Sequence, residues 1–118
     1  MTARILQRLC SDWQKRLRLM DWRITLKYEP CQDPTELGTT QFWLIEKTAT
    51  IWVCPASAMR ADAPPTSRDE ELTLVHELLH LHTSPLLRMM SPADEPAHEL
   101  ALNCIAEALV VLRRGEKQ

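Results

Sequence analysis

The pentapeptide His76-Glu77-Leu78-Leu79-His80 constrains the fold of this chain more than any other stretch. Side chains four residues apart on an α-helix lie one above the other, so on a helix His76 and His80 face the same way within one turn. The neighbouring residues make most of that helix apolar, which is typical of a helix in the protein interior. The pattern therefore predicts a buried helix that carries two imidazoles on one side.

Two neutral imidazoles about one turn apart can bind a single zinc ion from the same side. Glu77 projects beside them, where a carboxylate can take a proton from a zinc-bound water. His76 and His80 are thus candidate metal ligands and Glu77 the candidate general base, in the H-E-x-x-H arrangement of zinc metalloproteases. The alternative is two core histidines hydrogen-bonded to their neighbours. Burying two imidazoles and a carboxylate on an apolar helix costs free energy, and this cost is hard to explain unless the groups have a purpose. We therefore favour the metal site.

A catalytic zinc ion takes three protein ligands and keeps one open position, so one ligand remains to be found. His82 lies two residues beyond His80 and points to the other side of the helix. A third histidine is absent at the spacings of H-E-x-x-H-x-x-G-x-x-H and H-x-x-x-H-x-x-x-x-x-H, because residue 86 is leucine. The ligand is therefore expected from the last helix.

On that helix, Glu99 and Asn103 stand four residues apart on one face. Glu99 is the candidate third ligand, and Glu95, one turn earlier, is the alternative. Asn103 is expected to accept the free ring N–H of a histidine ligand and so to hold its tautomer.

Periodicity predicts a single α+β domain over residues 1–118. Residues 3–19 have the helical spacing of an amphipathic helix, and residues 22–29 alternate as a half-buried strand. Residues 39–46 and 50–54 predict an antiparallel hairpin. The central helix is expected to begin with Ser67 as N-cap and Glu70 completing a capping box. The last helix is expected from about Asp94 to Arg114, with a core row of the residues Leu102, Ile105, Leu109 and Leu112.

Composition narrows the function classes. The chain has 45% hydrophobic and 25% charged residues and a formal net charge of -2, as in ordinary globular proteins. It contains no 18-residue apolar run and no signal peptide, so we expect no membrane association. Its four cysteines form no C-x-x-C pair, which favours reduced thiols and a cytoplasmic location. Residues 1–28 hold 7 basic and 2 acidic residues, a bias more typical of a solvated helix face than of a nucleic-acid site. The oligomeric state stays open.

The motif His76-Glu77-Leu78-Leu79-His80, followed by Glu99-Leu100-Ala101-Leu102-Asn103, resembles the gluzincin zinc peptidases. The short chain also resembles minimal single-domain members, the minigluzincin-like proteins of phage and prophage type. The resemblance implies a zincin-like fold with an N-terminal helix, a small, mainly three-stranded twisted sheet, an active-site helix and a glutamate helix. Two departures stand out. Better-known members have Asp where this chain has Asn103. The downstream Tyr or His that stabilises the transition state in those larger enzymes is not identifiable here, and His82, His98 and Tyr28 are the candidates for that role.

These observations predict a small zinc-dependent metalloendopeptidase that acts on a protein or peptide. In the expected mechanism Glu77 removes a proton from a zinc-bound water, which then attacks the peptide carbonyl. By likeness to the clan, the strand over residues 39–45 is the sheet edge that lines the cleft. Phe42 or Trp43 would then lie near bound side chains, or both would be core residues. The alternative function is a catalytically weak zinc-binding module for regulation or protein interaction on the same fold.

Overall fold

The computed structural model describes residues 1–31, 33, 36–59 and 69–116. Three α-helices and three strands make up its regular structure, so the predicted α+β class and the three strands are confirmed. In chain order the elements are helix α1 (Ala3–Arg16), strands β1 (Arg23–Tyr28), β2 (Gly38–Trp43) and β3 (Thr48–Val53), helix α2 (Glu70–Thr83) and helix α3 (Glu95–Arg114). Short 3-10 segments lie at Ala56–Ala58, Ser84–Met89 and Pro92–Asp94.

The three strands form one mixed sheet in the order β1-β3-β2. The predicted hairpin of β2 and β3 is confirmed, with Gly38 opposite Val53 and Trp43 opposite Thr48. Its connection includes Lys47 at a positive φ of 53°. Strand β1 pairs with β3 in parallel, an arrangement that alternation alone does not predict. The order leaves β2 at one edge of the sheet.

The sheet has one face toward the helices and one away from them. On β3, Ala49, Ile51 and Val53 are buried and alternate with half-buried residues, as the two-residue period of a strand requires. The register places Lys27, Trp52 and Thr39 in one row across the sheet. That row lies on the face away from the helices, because its central residue alternates with the buried positions of β3.

Helix α2 supplies most of the buried residues on the helical side. Helix α3 packs against it through Leu102, Ala106 and Val110. The predicted core row of α3 is therefore wrong in part, since Ile105 is 47% and Leu112 is 69% exposed. Helix α3 has apolar residues on nearly every side, so periodicity could not select the face that packs.

The start of α2 differs from the prediction. Its N-cap is Asp69, whose side chain accepts the N–H of Leu72. Ser67, the predicted cap, lies outside the described residues. The Glu70 carboxylate accepts hydrogen bonds from the Tyr28 hydroxyl and the Ala56 N–H. Both contacts join the first turn of α2 to the sheet side of the molecule.

Two further findings concern the helices and the cysteines. None of the helices in the described part of the chain has the length and apolar composition to cross a membrane. The thiols of the four cysteines, Cys10, Cys31, Cys54 and Cys104, are free.

Candidate metal centre

Three side chains from two helices converge at one point of the α2–α3 contact. Nε2 of His76 lies 2.8 Å from Oε2 of Glu99, and Nε2 of His80 lies 3.1 Å from Oε1 of the same carboxylate. The two imidazole rings stand edge to face with centroids 5.1 Å apart. One ligand atom from each residue lies within 4.8 Å of the other two. All three side chains are half-buried, so the cluster is open to solvent on one side.

The donor set fits a zinc ion. At zinc bond lengths of about 2.0–2.2 Å, tetrahedral ligand atoms are about 3.4 Å apart. The two nitrogen–oxygen distances run to different oxygens of the Glu99 carboxylate and are a few tenths of an ångström shorter than that, so small rotations of the carboxylate and the rings would make room for an ion that takes one oxygen. Two imidazole nitrogens and one carboxylate oxygen are also the ligand chemistry of catalytic zinc sites with one open position.

The electrostatics of His80 favour the form that binds a metal. Burial lowers the pKa of His80, and the nearby Glu99 carboxylate opposes that effect without reversing it. A neutral imidazole is the form that can donate a ring nitrogen lone pair to a cation. The His80 ring is thus held mainly neutral and aimed at the Glu99 carboxylate.

The predicted support from Asn103 is not formed in the structure. Nδ1 of His76 is buried and has no hydrogen-bond partner among the described residues. Asn103 is exposed. Helix α3 turns the line of Leu102, Ala106 and Val110 toward α2, which leaves Asn103 on the flank of the contact. An unpaired buried ring nitrogen costs free energy, and an ion held by Nε2 of His76 would leave this Nδ1 unpaired as well.

Glu77 is buried beside the cluster and faces the sheet. The Thr40 hydroxyl lies 2.7 Å from Oε1 of Glu77 and 3.0 Å from its backbone oxygen, so it can donate to either. Burial raises the pKa of Glu77 to about 7, although the Thr40 hydrogen bond and His76 both act to lower it. A carboxylate with a pKa near neutrality is suited to taking up and returning a proton.

The close approach of β2 to α2 depends on Gly38. A Cβ at that position would lie 2.8 Å from both Cγ2 of Thr73 and the backbone oxygen of Trp52, and 3.1 Å from Cγ of Glu77. Only glycine fits there. Sequence reasoning missed Gly38 and Thr40 as site residues. A glycine inside a strand is a signal for close backbone approach, but Gly38 directly precedes the strand predicted over residues 39–46. The position of Thr40 depends on strand register and has no local signal.

Of the three candidate stabilising groups, one lies at the cluster. The His98 ring stands 5.4 Å from the His80 ring, and its Nε2 lies 2.9 Å from the Thr83 hydroxyl. Nε2 of His82 instead contacts the backbone oxygen of Leu17. The Tyr28 hydroxyl bonds to Glu70 at the opposite end of α2.

The remaining predicted site residues lie elsewhere. Glu95 is exposed at the start of α3 and does not join the cluster of described ligand atoms. Phe42 is half-buried and packs edge to face on Trp22, so the core interpretation holds for that ring. Trp43 is 48% exposed on the opposite face of the sheet. Neither aromatic ring contributes to the cluster.

Comparison of the chain with protein-family models, curated proteins and solved structures finds no match in any of the three. The function is therefore argued from the geometry of the site.

Proposed function

We propose that this chain is a zinc-dependent metalloendopeptidase with a gluzincin-type, zincin-like domain. The observation that carries the proposal is the convergence of the two histidine Nε2 atoms and the Glu99 carboxylate next to a buried Glu77 of raised pKa. His76, His80 and Glu99 would hold the ion, which would supply Lewis acidity toward water and a peptide carbonyl. Glu77 is assigned as the general base.

The protein groups then act as follows. Glu77 accepts a proton from the attacking water and later returns it to the leaving amine. Thr40 holds the Glu77 carboxylate in place through the hydrogen bond to Oε1. Of the three candidates for donating a hydrogen bond to a developing oxyanion, His98 is the one that lies next to the metal cluster. Its Nε2 contacts the Thr83 hydroxyl at 2.9 Å, so it would have to leave that contact to donate from Nε2 to the oxyanion.

The edge strand β2 is the proposed substrate platform. Cys54 N donates to the oxygen of Leu37 at 2.9 Å, which marks that pair as hydrogen-bonded. The alternation of an antiparallel ladder then directs the N–H and C=O groups of Gly38, Thr40 and Phe42 toward the free side of the strand. An extended peptide can pair with those groups as a fourth strand. The Thr40 hydroxyl faces Glu77, so pairing at Thr40 would bring the peptide beside the general base.

A chelator-controlled cleavage assay tests the proposal. The purified chain, loaded with zinc, is incubated with denatured casein, and a parallel sample contains excess chelator. Glu77→Gln is expected to keep its zinc and to lose cleavage about 100-fold or more, since general-base catalysis contributes factors of that size. Glu107→Gln, an exposed glutamate on α3, is the matched control with wild-type cleavage.

Ligand assignment is tested by titrating zinc into two alanine variants of α3. Glu99→Ala is expected to weaken zinc binding by at least about 10-fold, because it removes one of three ligands. Glu95→Ala, one turn earlier and exposed, is expected to bind zinc as the wild type does. If the wild type binds zinc tightly but cleaves nothing, the peptidase assignment is wrong. The alternative, a catalytically weak zinc-binding module for regulation or protein interaction, would then be favoured.

A further inference from the structure

A cavity of about 640 Å³ lies on the face of the sheet away from the helices. That size falls within the range of ligand-binding sites in proteins. The residues that line it come from all three strands and from the segment between β1 and β2. They include Lys27, Glu29, Glu36, Thr39, Gln41 and Trp52.

The cavity offers a surface suited to a cation. The Lys27 ammonium lies 5.8 Å from the centroid of the Trp52 ring, which shows that this aromatic face accepts positive charge. Two carboxylates, Glu29 and Glu36, stand in the same lining against the one ammonium. Oε2 of Glu36 accepts the Thr39 hydroxyl at 2.7 Å, which orients that carboxylate. Lys27 is exposed and its flexible side chain can swing away when another cation arrives.

The cavity adjoins the proposed catalytic centre. Thr40 lines the cavity, and its hydroxyl bonds to Glu77. The path from the general base to the cavity therefore crosses a single strand, β2.

Strand geometry specifies which substrate residue reaches the cavity. In a peptide paired with β2, the residue opposite Thr40 points its side chain toward α2, as Thr40 does. The residues before and after it point to the other face, beside Thr39 and Gln41. Both of those side chains line the cavity. A long side chain from either substrate position can extend over β2 toward Trp52.

We propose that this cavity is a specificity pocket for a basic side chain, arginine in first place, on a substrate residue next to the one paired with Thr40. Arginine fits because its planar guanidinium can stack on Trp52 and bond to Glu36 in bidentate fashion. The link to cleavage rests on the proposed peptidase function. The binding preference itself does not depend on catalysis.

The test uses unstructured peptides that differ at one position, which carries arginine, citrulline or glutamate in turn. Citrulline has the shape of arginine without its charge. Affinity for the zinc-loaded chain is measured by calorimetry and the cleavage rate by chromatography. We expect the arginine peptide to bind about 5-fold more tightly than the citrulline peptide. The ratio is modest because exposed ion pairs and cation–π contacts are individually weak. Glutamate is expected to be the least favourable.

Glu36→Gln is expected to bring the arginine-to-citrulline ratio close to one, because the amide still accepts the Thr39 hydroxyl but lacks the charge. Glu46→Gln, in the connection between β2 and β3, is the control that keeps the wild-type ratio. A wild-type ratio near one, an unchanged ratio in Glu36→Gln, or the absence of any peptide binding would overturn the pocket. A chain that binds arginine peptides selectively but cleaves none would overturn the peptidase function while supporting the pocket.

Discussion

At the scale of single residues, the Thr40 hydroxyl connects the sheet to the candidate catalytic carboxylate. It is the hydrogen-bond donor to Glu77, and its strand carries the backbone groups that would pair with a peptide. In the proposed enzyme, Thr40 would therefore act as a positioning residue. The sequence shows Glu77 through its motif, but it shows nothing of Thr40, because a contact 37 residues away in the chain depends on strand register.

Replacing Thr40 by valine keeps the side-chain shape and removes the hydrogen bond. A hydrogen bond to a charged group contributes about 1.5–3 kcal/mol, so we expect kcat to fall at least about 10-fold. KM and zinc affinity are expected to change little. Thr40→Ser restores the hydroxyl and should restore most of kcat. Equal kcat values for the valine and serine variants would show that the hydroxyl has no such role.

The same substitution gives a pH prediction. Glu77 must be ionised to act as a base, so kcat falls as pH drops through its pKa. The Thr40 hydrogen bond is one of the interactions that lower that pKa. Its loss in Thr40→Val is therefore expected to shift the acid limb of the pH–rate profile to higher pH. A profile recorded from pH 5 to pH 9 on the wild type and both variants measures this shift.

Gly38 permits a prediction about stability. Alanine at position 38 would place a methyl group 2.8 Å from a backbone oxygen that cannot move freely, and overpacking of this kind costs about 1–3 kcal/mol. Urea unfolding of Gly38→Ala should show that loss. Gly115→Ala is the matched control, since its nearest neighbours lie at 3.5 and 3.6 Å and its φ is -83°. We expect it to keep or slightly raise the unfolding free energy. Equal loss in both variants would contradict the steric argument.

At the scale of elements, the beginning of α2 is held by charges from another helix. The guanidinium of Arg114, at the end of α3, places Nη1 and Nη2 each 2.8 Å from the Asp69 carboxylate. Arg114 and Arg113 also reach the buried Glu71, which accepts the Trp13 ring N–H at 2.7 Å. Helices α1, α2 and α3 thus meet around one acidic group, and the position of α2 is determined at its first turn.

Asp69 predicts how α2 responds to acid. Burial acts to raise its pKa, but the hydrogen bonds from Arg114 and the Leu72 N–H outweigh burial and leave the pKa below its ordinary value of 3.8. The stability from Asp69 is therefore present above pH 3.8 and is lost as pH falls through the lower folded-state pKa. Asp69→Ala should cost about 1 kcal/mol or more at pH 7, and the difference from wild type should shrink in stronger acid.

Asp69→Asn separates the two contributions of that residue. Asparagine is as good an N-cap as aspartate, so the variant keeps the Leu72 hydrogen bond and loses only the charge pair with Arg114. Its unfolding free energy at pH 7 should lie between those of the wild type and Asp69→Ala. Chemical unfolding at pH 7 and at pH 3 measures all three proteins. The assigned pKa shift would be contradicted if the difference in unfolding free energy between the wild type and Asp69→Ala were the same at both pH values.

At the scale of the whole molecule, the proposed ion joins α2 to α3 and therefore stabilises the folded chain. Zinc at about 100 times its dissociation constant adds about 2.7 kcal/mol to the free energy of unfolding. For a chain of this length we expect Tm to rise by roughly 10 °C. Differential scanning calorimetry with zinc and with chelator measures the change. Glu99→Ala should lose most of it, and Glu95→Ala should keep it.

The elements themselves could be predicted from the sequence because their signals are local. Helical spacing located α1 and α3, strand alternation located β1, and the H-E-x-x-H spacing placed His76 and His80 on one face whatever the rest of the chain does. Helix geometry repeats every 3.6 residues in any protein, so these inferences need no tertiary contact. The end of α3 at Gly115 follows in the same way from the two arginines and the glycine.

Only the tertiary structure decided which groups meet. The rotation of α3 about its axis brings Glu99 to the histidines and leaves Asn103 on the flank of the contact, and that rotation results from the packing of Leu102, Ala106 and Val110 on α2. Glu95 lies one turn earlier, at the exposed start of the helix. The register of β2 brings Thr40 to Glu77 and opens the cavity on the opposite face. Both outcomes depend on the sum of many weak contacts between elements far apart in the chain, which no local pattern records.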